Sequence, residues 1–345
     1  MSVMTVLRRG LVSAAIPVAA AVVAAGVGPL ASAQAAAGSP ARATAPGLHK
    51  TGRILLGPAR NVFGHAFAEA PNGAVYFARG STVEVVRGNA APRIVVHAGA
   101  AVLALAANSS DFFVQTGLTV REYSRSTSAS LRHWKLTSPV TPLTSAGLYA
   151  VGGTLWSWTD WATDSSGFQF AKVSRIKTSS SAVHKVATQA YPGDMSANAT
   201  GLYYEGQRGP SGYLGHATPS GAVTTRRQSV VDAPLALSGG RVDLLSFGSN
   251  VAIDTYSPST LARLSSSRVN GSDRSIAGTT VGLLVLTQPC ASQSCPSASV
   301  SNLNAAHGTT SGKLGVPGAV ILLAGPAAAV IQVSAGSMFL VRLAS

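Results

Sequence analysis

The sequence predicts an all-β fold: a seven-bladed β-propeller whose last blade is closed by an N-terminal strand at residues 52–57. Three observations predict it. Segments far apart in the chain share one outline of apolar runs and tight turns. One of those turns recurs at a nearly constant interval. The final unit is one strand short of the others.

The shared outline is clearest in "PLALSGGRVDLLSFGSNVAIDTYS" (234–257) set above "VILLAGPAAAVIQVSAGSMFLVRLA" (320–344). The two run together without a gap, with Gly239 over Gly325, Leu245 over Ile331 and Ile253 over Phe339. The stretch "VLALAANSSDFFVQTGLTVREYS" (102–124) repeats the outline and adds "ASLRHWKL" (129–136) as a fourth run. Short runs bounded by Gly, Ser, Asn and Pro are strands rather than helices.

The turn between first and second strands falls near Gly73, Ser110, Gly153, Thr200, Gly240, Thr280 and Pro326, at intervals of 37, 43, 47, 40, 40 and 46 residues. That period belongs to four-stranded propeller blades. First strands rich in small residues, such as "ALAA" (104–107) and "LALS" (235–238), suit strands crowded at a central axis.

The tail from Gly318 to Ser345 has Arg342 as its only charge and approaches the roughly 20 apolar residues of a membrane helix. Gly325-Pro326 and Gly336 interrupt it where the earlier unit turns, so it reads as three strands. An open outer edge invites pairing. "GRILLG" (52–57), with no partner of its own, supplies the missing strand.

Residues 1–33 read as a secretory signal peptide: Arg8 and Arg9, then an apolar run, then Ala31-Ser32-Ala33. Residues 34–50 read as a flexible linker and 51–345 as the propeller domain. Beyond the signal stand 24 basic and 12 acidic residues. A solvated, arginine-rich surface and attraction to acidic envelope polymers or anionic lipid both fit that balance. Basic residues do not interleave with aromatics, which argues against nucleic acid.

The unit "GHAFAEAPNGAVYFARGSTVEVVRG" (64–88), with "PNG" before "AVYFA", and the pattern "VREYSRSTSASLRHWKL" (120–136) resemble blades of the broad NHL, YVTN and quinoprotein-type propellers. The resemblance covers roughly 52–345 and implies the fold. It does not carry a chemistry, because such propellers host binding modules, lyases, lactonases and dehydrogenases alike. No run matches the Asp-box of sialidases, and no vicinal cysteine pair is present.

Candidate contacts come from two sets of loops that propellers place on one face. Loops between second and third strands read as enlarged in three units: "TDWATDSSG" (159–167), "GQRGPSG" (206–212) and "QPCASQSCPSA" (288–298). They carry Trp161, past the end of its strand, and Arg208, with Tyr213 nearby. Trp156 and Trp158, two apart, pack between blades. Loops leading into first strands carry His65, Asp194, Asp232, Asp273 and Arg274. Converging carboxylates suit a hard cation or a polarised substrate, and they equally suit turn capping; no metal or cofactor is assigned.

Cys290 and Cys295 are expected to bond after export, stiffening one loop. The expected function is an exported binding or scaffold module, secreted or associated with the envelope and monomeric. Its ligand would be a cell-wall polysaccharide or an envelope protein. A lactonase-like hydrolase or a lyase using the acidic residues is the alternative.

Overall fold

The computed structural model describes residues 47–59, 66–137, 146–163, 169–208, 211–228, 233–247, 251–269, 272–279, 282–290, 295–305, 309–323 and 328–344. The chain opens with β1 (His49–Pro58). Blade 1 is β2 (Phe67–Glu69), β3 (Val75–Arg79), β4 (Thr82–Val86) and β5 (Arg93–His97); blade 2 is β6 (Val102–Ala107), β7 (Asp111–Thr116), β8 (Thr119–Ser124) and β9 (Ser130–Lys135). Blade 3 is β10 (Ala146–Val151), β11 (Thr154–Thr163), β12 (Gln169–Lys177) and the first half of β13 (Val183–Asn198). The second half of β13 opens blade 4, followed by β14 (Gly201–Arg208), β15 (Ser211–Ala217) and β16 (Val223–Gln228). Blade 5 is β17 (Leu235–Ser238), β18 (Arg241–Phe247), β19 (Val251–Tyr256) and β20 (Arg263–Arg268). Blade 6 is β21 (Asp273–Thr279), β22 (Gly282–Thr287), β23 (Ser299–Asn304) and β24 (Thr309–Gly315). Blade 7 is β25 (Ala319–Leu323), β26 (Ala329–Ser334) and β27 (Ser337–Ala344), with β1 as its outer strand.

Every pairing within the blades is antiparallel and sequential except the closure, where β1 lies against β27 over its whole length, from His49 opposite Ala344 to Pro58 opposite Ser337. The closing strand is therefore longer than the apolar "GRILLG" alone. Five of the seven expected turns fall within the described residues, all at strand junctions; those at Thr280 and Pro326 lie outside them. In blade 2 the turn is built by Asn108, whose Oδ1 accepts from the amides of Ser110 (3.0 Å) and Asp111 (2.7 Å). In blade 1 it needs Gly73 at φ 76°.

The gapless overlay of blades 5 and 7 slips by one residue. Leu245 pairs with Ile253, but Ile331 pairs with Leu340 rather than Phe339. Blade 5 closes its hairpin at Phe247 and Val251, whereas blade 7 closes at Ser334 and Ser337. A one-residue slip exchanges the faces of a strand. Leu340 is accordingly buried, and Phe339 lies opposite Leu55 on β1 with the Arg53 guanidinium 3.5 Å over its ring.

The core is not central. It is divided into seven apolar wedges, one at each junction between neighbouring blades. Ile54 and Leu56 of β1 share the wedge between blades 7 and 1 with Phe67, Phe77, Ile331 and Leu340. Trp156 and Trp158 sit in the wedge between blades 3 and 4, as their spacing suggested. Near the axis the first strands approach closely. A Cβ on Gly278 would lie 1.8 Å from the Leu237 carbonyl oxygen of blade 5, so that position tolerates no side chain.

Polar groups stitch the wedges. Arg342 Nε donates to the Gly88 carbonyl (2.9 Å), Arg175 Nη1 to the Pro219 carbonyl (2.7 Å) and Tyr203 Oη to the Pro258 carbonyl (3.2 Å), each reaching from one blade to the next. Within blades 1, 2 and 5, buried Glu84, Glu122 and Asp254 on the third strand pair with Arg79, Arg132 and Arg263. Burial pushes the Glu122 carboxyl up, and nearby Asp111 adds to the rise while Arg132 opposes it. His216 stacks on Tyr203, with ring centroids 4.3 Å apart and planes 6° apart, and its Nε2 donates to the Thr200 carbonyl (3.1 Å). Burial lowers its pKa below 6.5.

Replacing Leu56 with Ala should cost about 2–5 kcal/mol in urea denaturation, because the side chain is buried at the closing seam. Deleting residues 47–58 should leave β27 as an open edge and produce oligomers in size-exclusion chromatography; a monomer of unchanged stability would contradict closure. The depressed histidine gives stability that is present above pH 6.5 and lost as pH falls through its folded pKa. The raised carboxyls of Glu122 and Asp243 run the other way, favouring the fold as pH falls into the carboxylate range. His216→Phe keeps the stack without the titration. Between pH 7.5 and 5.5 its melting temperature should therefore fall less than that of the parent chain, and parallel curves would remove His216 as the cause.

Candidate functional site

The ring has two faces. The upper face carries the turns between second and third strands and the loops leading into first strands, where the sequence placed its candidates. His65 and Asp232 lie outside the described residues. Trp161, Asp194, Arg208, Asp273 and Arg274 are on strands: β11, β13, β14 and, for the last two, the start of β21.

Trp161 and Arg208 therefore belong to strands rather than loops. β11 continues past a bulge at residues 159–161, and Trp161 pairs with Ala171. β14 runs to Arg208, which pairs with Ser211. The enlarged segments of blades 3 and 4 are lengthened hairpins. Only the third, 288–298, is a connection between strands.

The lengthening has a structural cause. β13 spans 16 residues, serving as the outer strand of blade 3 and then, past a register shift between Ala190 and Met195, as the first strand of blade 4. The two blades thus form one seven-stranded sheet, β10 to β16. A single row of paired residues crosses it: Trp161 with Ala171, Ala171 with Ala190, Ala190 with Gly206, Gly206 with Tyr213. Ala171 and Ala190 are buried in the wedge between the blades, and half-buried Tyr213 packs at its margin, edge-on to Tyr204 (6.2 Å). Burial raises the Tyr204 phenol, and Tyr213 adds to the rise. From this anchored row the strands continue to Thr163 and Arg208, and β13 passes through Asp194. Trp161, Asp194 and Arg208 are thereby brought to the upper end of one sheet. Asp273 and Arg274 begin blade 6, apart from it. In blade 1 the corresponding strands are five residues each and turn at 80–81.

The third connection is closed by the expected Cys290–Cys295 disulfide, with Cα atoms 5.5 Å apart. Cys295 is fully buried in the wedge between blades 6 and 7, beside Val316, Ala319 and Leu322. Its carbonyl accepts from the Gly318 amide (2.7 Å), and Gln288 Nε2 donates to the Ala319 carbonyl. The bond therefore seats the loop against blade 7 as well as stiffening it.

On the lower face a groove of about 540 Å³ opens between blades 1 and 2, lined by Asn72, Arg87, Ser110, Asp111, Arg125 and Leu131 among others. Its central cation is already engaged: Arg125 Nη1 donates to the carbonyls of Asn108 (2.8 Å) and Ser109 (2.6 Å), and Nη2 donates to Asn72 Oδ1. Asp111 accepts from the Ser110 hydroxyl. The groove is a polar clamp between blades. Among the described residues no group of three or more His, Cys, Asp or Glu is arranged to hold a metal ion.

Comparison with known proteins supports the architecture. No family model matches the sequence, and no curated protein matches it. Among solved structures, the chain resembles the WD40 domain of Neurospora crassa Pan2, with a TM-score of 0.56 and 9% identity over 86% of this chain and 96% of that one. The β-propeller domain of Myceliophteria thermophila Cps50 (Swd1) gives 0.54 at 10% identity, over 86% and 99% of the two chains. A chain of a mitotic checkpoint complex gives 0.54 at 11%, over 92% and 98%. At such identities the likeness shows the fold, a seven-bladed β-propeller.

The disulfide yields its own prediction. Cys290→Ala with Cys295→Ala should lower stability by about 2 kcal/mol, the loop-closure contribution of so short a ring, plus the loss of packing at Cys295. The protein should still unfold in one transition. An unchanged urea midpoint would show that the bond does not seat the loop.

Proposed function

We propose that this chain is an exported, non-catalytic propeller that binds an envelope ligand, a cell-wall polysaccharide or an envelope protein, at the upper end of the blade 3–4 sheet. The observation that carries the proposal is the placement of Trp161, Asp194 and Arg208 on three strands, β11, β13 and β14, of that one lengthened sheet, anchored by the row that ends at Tyr213. An aromatic, a carboxylate and a guanidinium on a rigid support are the groups by which proteins hold sugar rings and polar peptides. Export is supported by the signal-like residues 1–33 and by the disulfide, which uses both cysteines of the chain. Protein partners are a fair expectation because a propeller of this fold occurs in a mitotic checkpoint complex. Kinship with the NHL, YVTN and quinoprotein-type propellers is part of the same proposal.

One observation favours the enzyme as a second reading. Asp194, Asp232 and Asp273 precede or open the first-strand segments of three consecutive blades, 4, 5 and 6. By contrast, Glu84, Glu122 and Asp254 are ion-paired inside their blades, and Asp243 accepts from Ser238 and Thr255.

A single set of variants separates the two. For the binding module, Trp161→Ala and Arg208→Ala each weaken retention on purified cell-wall fractions about tenfold, roughly 1.4 kcal/mol, with melting unchanged, while the double change of Asp232 and Asp273 to Asn, which leaves Asp194 in place, retains binding. Full retention by both single variants would sink the proposal. Wall-degrading activity that disappears in the double variant while binding persists would establish the enzyme.

A further inference from the structure

The positive charge of the protein is not spread over its surface. Seven strands form the outer wall of the ring: β1, β5, β9, residues 183–190 of β13, β16, β20 and β24. Each carries at least one Lys or Arg, and none carries an Asp or Glu. Together they hold eleven of the 24 basic residues beyond the signal-like segment; the other thirteen stand against all twelve acids. Away from the wall the protein is nearly neutral, and the wall accounts for almost the entire excess.

These cations are accessible. Lys50, Arg93, Lys185, Arg226 and Lys313, from five different outer strands, are all exposed. Among the wall cations, Arg132 and Arg263 are drawn into ion pairs, with Glu122 and Asp254. Charged outer strands also guard sheet edges against pairing. Either sign serves that purpose, so edge protection does not account for the absence of acids from all seven strands.

We infer that the outer wall is a binding belt for a linear, phosphate-rich polyanion of the cell envelope. A belt that continues through every blade suits a flexible chain, which follows a curved wall and gains from releasing its counterions at successive cations. A bilayer is flat and meets only one arc of a ring. The exposed aliphatics Leu55, Ile94, Leu131, Val223 and Leu264 sit one to a strand on five of the seven, not gathered on one arc as insertion would require. Nucleic acid is disfavoured by the same strands. Of Phe, Tyr and Trp they carry only Trp134, which is buried with its indole N–H donated to the Ser180 carbonyl (2.7 Å), so no large aromatic ring of the wall is free to stack on a base. The belt is separate from the upper end of blades 3 and 4 and stands whether or not that site binds.

The test uses residues 34–345, long-chain inorganic polyphosphate as probe, and fluorescence anisotropy across a salt series. One variant changes Lys50, Arg93, Lys185, Arg226 and Lys313 to Gln. A matched variant changes Arg87, Arg121, Lys172, Lys177 and Arg241, all off the outer strands, to Gln. Both lose five charges, and melting curves establish that both fold. Expected is salt-sensitive binding that weakens at least about tenfold, with a shallower salt slope, in the wall variant, and by less than about threefold in the matched one. Equal losses in the two would reduce the effect to net charge and overturn the belt. So would a failure to bind polyphosphate at about 0.15 M salt, or a preference for phosphatidylglycerol vesicles or single-stranded DNA over polyphosphate at equal phosphate.

Discussion

Each blade is apolar on both faces and has only its two neighbours to bury them against. Every other feature of the fold answers to that constraint. The apolar surface forms seven wedges, each shared by two blades, so stability is a sum of neighbour contacts around a circle. A circle must close, and the chain closes it by pairing its beginning with its end. The seam is reinforced beyond its backbone ladder. Arg79 donates to the Leu56 carbonyl, Asn89 to the Thr51 carbonyl and Arg342 to the Gly88 carbonyl, all between blades 7 and 1. Arg53 holds Gln332 (2.8 Å) and covers Phe339.

The arginine-rich composition resolves into two populations. Arg125, Arg175 and Arg342 are internal fittings: Arg175 and Arg342 donate to carbonyl oxygens of adjacent blades, and Arg125 joins the Asn108 and Ser109 carbonyls of its own blade to Asn72 Oδ1 of blade 1. Arg342 bears the cost as a pKa lowered by burial and partly restored by Glu69. The buried carboxylates on third strands fit the same scheme: a buried ion pair adds little net stability, but it admits only one register between the strands that hold it. The second population lies on the outer wall, where cationic side chains such as Lys50, Arg93 and Arg226 reach solvent.

The ring departs from seven-fold regularity at blades 3 and 4. Their fusion through β13 removes a break between sheets and lets two hairpins lengthen beyond the wedge that anchors them. At blade 6 the disulfide anchors a loop, seating Cys295 in the adjoining wedge.

Much of the fold was legible because alternation and turn chemistry are local. The recurrence of turns, the missing strand of the last unit, the packing of Trp156 and Trp158 and the bonding of Cys290 to Cys295 all follow from spacing along the chain. The slip between Ile331 and Phe339 was not legible, because one residue more or less in a hairpin leaves the apolar pattern almost unchanged while exchanging the faces. "GQRGPSG" reads as a loop from its composition, yet Gly206 and Gly212 are paired strand residues, held by neighbours contributed from elsewhere in the sequence. Sequence alone determined that there are seven units, where they turn and how the ring is joined, since these depend on residues near one another or on the two ends. Only the tertiary structure decided that Trp161, Asp194 and Arg208 share one sheet and that the excess charge encircles the molecule. Both depend on which strand of each blade faces outward, and that is settled by packing between blades.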